Sequence, residues 1–329
     1  MPADLAPDRA NGRSWLPALL RVVVAWIALG ALTAAEWAEM AHQWWDIDTY
    51  SHTLLIPPII AWLVWIRRGE LARLAPQGWW PGLAWLALGL AAWLGGRSLG
   101  INLVAQAGTI MALQGAVLAL FGLRAALVLG FPLFYMGFLV PFGDEIIPPL
   151  QAITASIATA LTQWSGIETV ADGIGIDTPA GLFIVAEECS GVKFLVAMVA
   201  LGVLVAHTCF TSRARRAWFM LACVVVPVIA NGIRAWATIF IAQYVGAEAA
   251  GGFDHIVYGW VFFAIVIALV LGAAWRWFER VPEDAGWTAG EVATLPLVAR
   301  WEGRALPADL VLAAVLAVAL LFAALARLG

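Results

Sequence analysis

The chain has 329 residues, 63% of them hydrophobic and only 12% charged, with a formal net charge of -4. A soluble domain carries about 25% charged residues, so this composition cannot furnish a water-soluble surface and implies a polytopic membrane protein. The small net charge and the lack of any long basic tract exclude a nucleic-acid partner.

The first apolar stretch, 15–35, follows Arg9 and Arg13. At about 20 residues it suits a spanning signal anchor better than a cleaved leader. Further apolar runs follow at 53–66, 79–95, 100–121, 125–142, 190–209, 216–242, 256–277 and 308–328. The expected fold is an all-α membrane protein of about 8–9 transmembrane helices. The run at 53–66 is short and holds Pro57 and Pro58, so it is either kinked or extended into the preceding segment. The stretch 146–166 carries Gln151, Thr154, Ser156, Thr159, Thr162 and Gln163 and reads as an amphipathic or interfacial helix.

Arginine placement sets the direction of these spans. Arg9, Arg13 and Arg21 precede or begin the first; Arg67, Arg68 and Arg73 follow the second; Arg124 separates the fourth and fifth. Arg213, Arg215 and Arg216, then Arg276 and Arg280, then Arg300 and Arg304 fill later loops of the same parity. That side is the cytoplasm, so the N-terminus is expected inside. The opposite loops carry Glu36, Glu39, Asp46, Asp48, Asp144, Glu145, Glu248 and Asp254. By this parity the segment 144–189 begins and ends outside, and 146–166 either lies in the interface or dips in as a re-entrant hairpin. Gly and Pro punctuation around two β-branched runs, 167–170 and 182–185, predicts a small extracytoplasmic hairpin.

The cysteines Cys189, Cys209 and Cys223 form no disulfide framework. There is no metal-ligand spacing and no phosphate-cradling glycine loop, so neither a metal nor another cofactor is expected. Cys209 and Cys223 fall toward the cytoplasm, whereas Cys189 stands at the outer interface just before a helix N-terminus. Such a position favours a thiolate, and Lys193 adds to the effect while Glu187 and Glu188 oppose it. Asn231 and Arg234 lie roughly 22–27 Å along the next span, counted from Arg216, and share one face. An arginine at that depth costs about 2.5–3.5 kcal/mol on insertion scales and persists where it faces a partner or a wet cavity. The following span opens with Asp254 and His255. Three consecutive spans thus bring a thiol, a guanidinium and an imidazole to one level, the composition of a cysteine nucleophile site.

Each residue also has a plainer reading. Cys189 would serve as a small packed side chain, His255 as a headgroup ligand, and Arg234 as a structural partner of Glu188 or Asp254. His52 reads as a helix-start polar residue that can contribute from the outer side, and His207 as structural. The 19 tryptophans are mostly interfacial.

At Glu188-Cys189-Ser190-Gly191, with Asn231-Gly-Ile-Arg234 and His255 following in order, the chain resembles the exosortase/archaeosortase family. The extended approach to the cysteine and the Tyr50-Ser51-His52…Arg67-Arg68 stretch resemble that family too, over about residues 45–277. The resemblance implies an inner-membrane cysteine transpeptidase of the bacterial exosortase type. It would act on exported proteins bearing a C-terminal signal made of a Pro-Glu-Pro-type motif, a transmembrane helix and a basic tail. It implies Cys189 as nucleophile, Arg234 as stabilising cation and His255 as acid/base, with Glu188, Ser190, Asn231 and His52 in support. The active site would face the periplasm, the partners being exported substrates, membrane lipids and an acceptor of unknown identity. The expected division is a catalytic domain over 1–280, then a cytoplasmic loop and an additional C-terminal helix over 281–329. The rival reading is an export subunit or transporter for polysaccharide or lipid, with Arg234 and His255 binding an anionic headgroup. That reading predicts internal repeats of hydropathy, and none is evident. A non-catalytic assembly scaffold is a second rival, but it needs no polar cluster at membrane depth.

Overall fold

The computed structural model describes residues 12–247, 250, 259–302 and 306–328. In chain order the main helices are α1 (Gly12–Leu32), α2 (Ala34–Asp46), α3 (Ile56–Ile66), α4 (Pro81–Leu99), α5 (Asn102–Val128), α6 (Ile147–Trp164), α7 (Val192–Cys209), α8 (Arg213–Val245), α9 (Gly259–Ala274) and α10 (Ala308–Leu325). Strands β1 (Val170–Asp172), β2 (Gly175–Thr178) and β3 (Gly181–Ile184) stand between α6 and α7. The all-α polytopic architecture is as expected. Among the described residues six helices are long and apolar enough to cross a membrane, seven if the bent pair Val261–Trp277 and Pro282–Ala293 is one span.

By length and composition, two of the nine apolar runs, 79–95 and 125–142, fall short of a span, and 256–277 reaches one only as part of the bent pair. Helix α4, from the run 79–95, is diluted by glycines and carries Arg97 and Ser98 in its last turn. The run 125–142 is shared between the end of α5, a short helix Gly130–Tyr135 and a 3-10 turn Met136–Leu139. Pro132, Gly137 and Pro141 interrupt helical propagation there. The fourth run ends near its predicted boundary, because Gly122 adopts φ 83° and ψ 173° and breaks α5. The short second run is extended rather than kinked: a 3-10 segment Asp48–Leu55 leads into α3, giving a 19-residue stretch Asp48–Ile66. Pro57 and Pro58 fall in the first turn of α3, where a missing N–H costs little.

The chain divides into two compact units, one of residues 1–47, 51–141 and 286–329, the other of 48–50 and 142–285. In the first, α4 and α5 lie backbone to backbone. Gly82, Gly89 and Gly96 on one helix and Gly108 and Gly115 on the other recur every seven residues. A Cβ at any of them would come 2.3–2.6 Å from backbone of the facing helix. Helices in lipid lack a hydrophobic drive to associate, and small residues at a seam permit this close van der Waals contact instead. Helix α10 packs on α1, α4 and α5, with Arg21 Nε 2.7 Å from Asp309 Oδ1.

The second unit is built on α8, which packs against α6, α7 and α9. Gly232 lets α8 approach α6, since a Cβ there would meet the Ile157 side chain at 2.5 Å. Phe194, Met198, Phe219, Cys223, Phe263 and Val266 form the buried centre shared by α7, α8 and α9. The three strands make an antiparallel sheet in the order β1-β2-β3. The expected run 182–185 supplies most of β3, whereas 167–170 meets β1 only at Val170, the strand lying two residues further on. The central strand, paired Ile176 with Ala171 and Phe183, was not foreseen. Its Gly-Ile-Asp-Thr sequence is short and half polar, yet Ile176 is fully buried against Ala155, Ala158 and Ile239.

Candidate functional site

Chain geometry brings Cys189 to the mouth of α7. After β3 the backbone makes a 3-10 turn, Glu187–Cys189, in which the Cys189 N–H donates to the Ala186 carbonyl at 3.0 Å. Gly191 then takes φ +84°, a left-handed conformation that suits glycine, and redirects the chain into α7. The Ser190 hydroxyl accepts from the Val192 N–H at 3.3 Å, so Ser190 is buried as a local cap rather than aimed at a substrate. Glu187 and Glu188 are exposed, and Cys189 is half-buried.

The turn is clamped from two helices. Asn231 on α8 is 2% exposed; its Nδ2 donates to the Cys189 carbonyl at 2.8 Å and to the Thr154 hydroxyl at 3.0 Å. Thr154 on α6 in turn donates to the Ser190 carbonyl at 3.4 Å, and Gln151 Nε2 holds the Val185 carbonyl at 2.8 Å. Buried polar groups are retained where they find partners, and here buried Asn231 and Thr154, with half-buried Gln151, fix the backbone on both sides of one thiol. Sequence reasoning singled out Asn231 but not Thr154 or Gln151. The signal was present in the polar residues that interrupt an otherwise apolar helix.

One turn beyond Asn231, Arg234 is 7% exposed, and its guanidinium carbon lies 5.5 Å from the Phe194 ring centroid. Phe194 stacks on Phe263 of α9, with ring centroids 4.8 Å apart. A Cβ placed on Gly259, the first residue of α9, would lie 3.5 Å from Arg234 Nη1. The arginine is therefore enclosed by α7, α8 and the start of α9. Cys189 packs into the cluster that also holds Ala235 and Trp236, the two residues after Arg234. His255 and Asp254 lie outside the described residues. Lys193 Nζ stands 3.9 Å from Asp48 Oδ2 and 5.3 Å from the Phe194 ring, on α7 one turn past the cysteine. His52 is half-buried in the 3-10 segment Asp48–Leu55 and belongs to the first unit.

Among the described residues no group of three or more His, Cys, Asp or Glu is arranged to hold a metal. Chemically, the arrangement offers a partly accessible thiol on a backbone pinned at its own carbonyl. On α8, one turn beyond the asparagine that grips that carbonyl, stands a guanidinium only 7% exposed, and low exposure to water strengthens the pull of such a group on an anion.

A family model described as transmembrane exosortase (Exosortase_EpsH) matches residues 44–272, a span that takes in the second unit's clamp, cysteine and buried arginine. No curated protein and no solved structure matches the chain. With well over half of its length matched, the chain belongs to the transmembrane exosortase family.

Proposed function

We propose that the chain is a membrane-embedded cysteine peptidase and transpeptidase that cleaves the C-terminal sorting signal of exported proteins. Arginine bias puts the N-terminus in the cytoplasm of a bacterial inner membrane and the Cys189 end of α7 at the periplasmic face. The Cys189 thiolate attacks the scissile carbonyl carbon, the C–N bond breaks, and the leaving amine takes a proton from His255. An acceptor amine or hydroxyl then attacks the thioester. His255 takes the acceptor's proton, and the thiolate is restored. Arg234 stabilises the thiolate and the oxyanion of each tetrahedral intermediate. The substrate class is an exported protein whose tail carries a short Pro-Glu-Pro-type motif, a transmembrane helix and a basic end. Its acceptor lies at the cell surface.

The single observation that supports this reading is the Asn231 clamp. The α8 face that holds the Cys189 carbonyl also carries a buried arginine one turn away. The brace fixes the peptide group that carries the thiol, which suits a side chain that must meet a scissile carbonyl in one geometry. Co-expression of a tagged substrate with Cys189→Ala tests the proposal. Processing is expected to stop with the protein still in the membrane, and continued cleavage would end the thiol mechanism.

A further inference from the structure

At the end of the second unit away from Cys189, α8 and α9 part around a cavity of about 540 Å³ lined by Phe210, Trp218, Phe219, Leu269, Ala273 and Trp277, with Arg215 at its edge. Arg215 and Arg234 are 19 residues apart on one helix, roughly 28 Å of rise, so this cavity is separate from the site above. Its volume falls within the roughly 300–1,000 Å³ of small-ligand sites and is too small for a second transmembrane helix with its side chains. The walls are apolar apart from Arg215.

Arg215 lines the cavity with half of its side chain exposed. The Arg276 guanidinium carbon sits 4.2 Å from the ring of Trp277, itself a wall residue. Trp218 is 72% and Trp277 42% exposed, as befits aromatic side chains at the polar boundary of a bilayer. Glu279 answers part of this charge, contacting Arg215 at 3.0 Å, but its other oxygen is taken by the Thr211 and Ser212 N–H groups. The basic surplus over Arg213, Arg215, Arg216, Arg276 and Arg280 remains.

We infer that this cavity is a binding site for an anionic phospholipid, one acyl chain entering between α8 and α9 and the phosphate resting on Arg215 and Arg276. An apolar slot alone accepts any lipid tail. Arg215 in the lining, with Arg276 stacked on the lining Trp277, selects the charge of the headgroup, as basic pockets between transmembrane helices do. The site is independent of the proposed chemistry at Cys189.

Native mass spectrometry of the full chain in detergent, titrated with phosphatidylglycerol and separately with phosphatidylcholine, tests this. Preferential retention of phosphatidylglycerol is expected, with Arg215→Gln and Arg276→Gln each weakening it roughly fivefold. Arg73→Gln, the same charge change on the other unit, should leave it unaltered. Equal retention of both lipids, or equal losses in all three variants, overturns the inference. Ala222→Leu, which narrows the slot and leaves every charge in place, should lower retention of both lipids. If it does not, the acyl chain lies elsewhere and the site is refuted. Substrate processing by the arginine variants, measured in parallel, reports on Cys189 alone.

Discussion

Replacing Gly191 with alanine imposes two separable costs. The residue sits at φ +84°, where an L side chain is strained by roughly 1–2 kcal/mol. The new Cβ would also stand 2.7 Å from Asn231 Cγ. Asn231 must then retreat, surrendering its bonds to the Cys189 carbonyl at 2.8 Å and to Thr154 at 3.0 Å. Leaving such buried groups unsatisfied costs roughly 1–3 kcal/mol more. In an Asn231→Ala background the bonds and the Cγ and Nδ2 contacts are already gone, so the backbone strain and a 3.0 Å approach to the residue 231 Cβ are what remain. A double-mutant cycle read by equilibrium unfolding in mixed micelles with rising denaturing detergent should therefore show coupling of about 1–3 kcal/mol between the two positions. Cleavage of a tagged substrate should fall in each single variant and fall no further in the double. If Gly191→Ala costs as much without Asn231 as with it, within about 0.5 kcal/mol, the clamp does not exist as described.

Four further outcomes are expected. Thr154→Val should slow processing and loosen the cysteine turn, raising Cys189 reactivity toward a bulky thiol reagent, while Thr154→Ser keeps the bond and restores both; an inert valine variant removes α6 from the site. Arg234→Lys keeps the charge but not the planar guanidinium, and cleavage should drop by about tenfold or more while unfolding barely shifts; full activity would argue against an oxyanion role. Gly89→Ala should destabilise the first unit by about 1–3 kcal/mol because its Cβ would meet Ala112 N at 2.6 Å, whereas Gly95→Ala, with nothing within 4 Å, should be neutral or slightly stabilising in the same unfolding assay; equal effects would contradict the seam. Glu279 is held down from 4.5 to about 2, chiefly by N–H groups of Ser212 and Thr211. A carboxyl depressed in the folded state contributes stability above its unfolded value, lost as pH falls from about 4.5 toward 2. Unfolding measured across that window should lose this slope in Glu279→Gln, and parallel profiles for both proteins would refute it.

Membrane class was legible in the sequence because it depends on composition and run length alone. A bilayer admits only backbone that satisfies its own hydrogen bonds, so any apolar run of the right length becomes helix whatever surrounds it. The residues Cys189, Asn231 and Arg234 were legible for a related reason. A thiol before a helix start and an arginine deep in a span are unusual enough locally to stand out without neighbours. Helix α6 was legible as a helix but not as a brace, since the partners of Gln151 and Thr154 are 34 and 36 residues away along the chain. The same limit hid β2, whose place between β1 and β3 rests on the burial of Ile176.

The sequence by itself determined that this chain crosses a membrane several times and that one cysteine, one asparagine and one arginine stand apart from the apolar background. Only the tertiary structure decided that α4 and α5 touch along glycines, that α10 returns to α1, and that Asn231 grips the peptide of Cys189. Local pattern reports what a residue avoids, water or lipid. Which partner it finds is set by contacts between distant segments, and those exist only once the helices have packed.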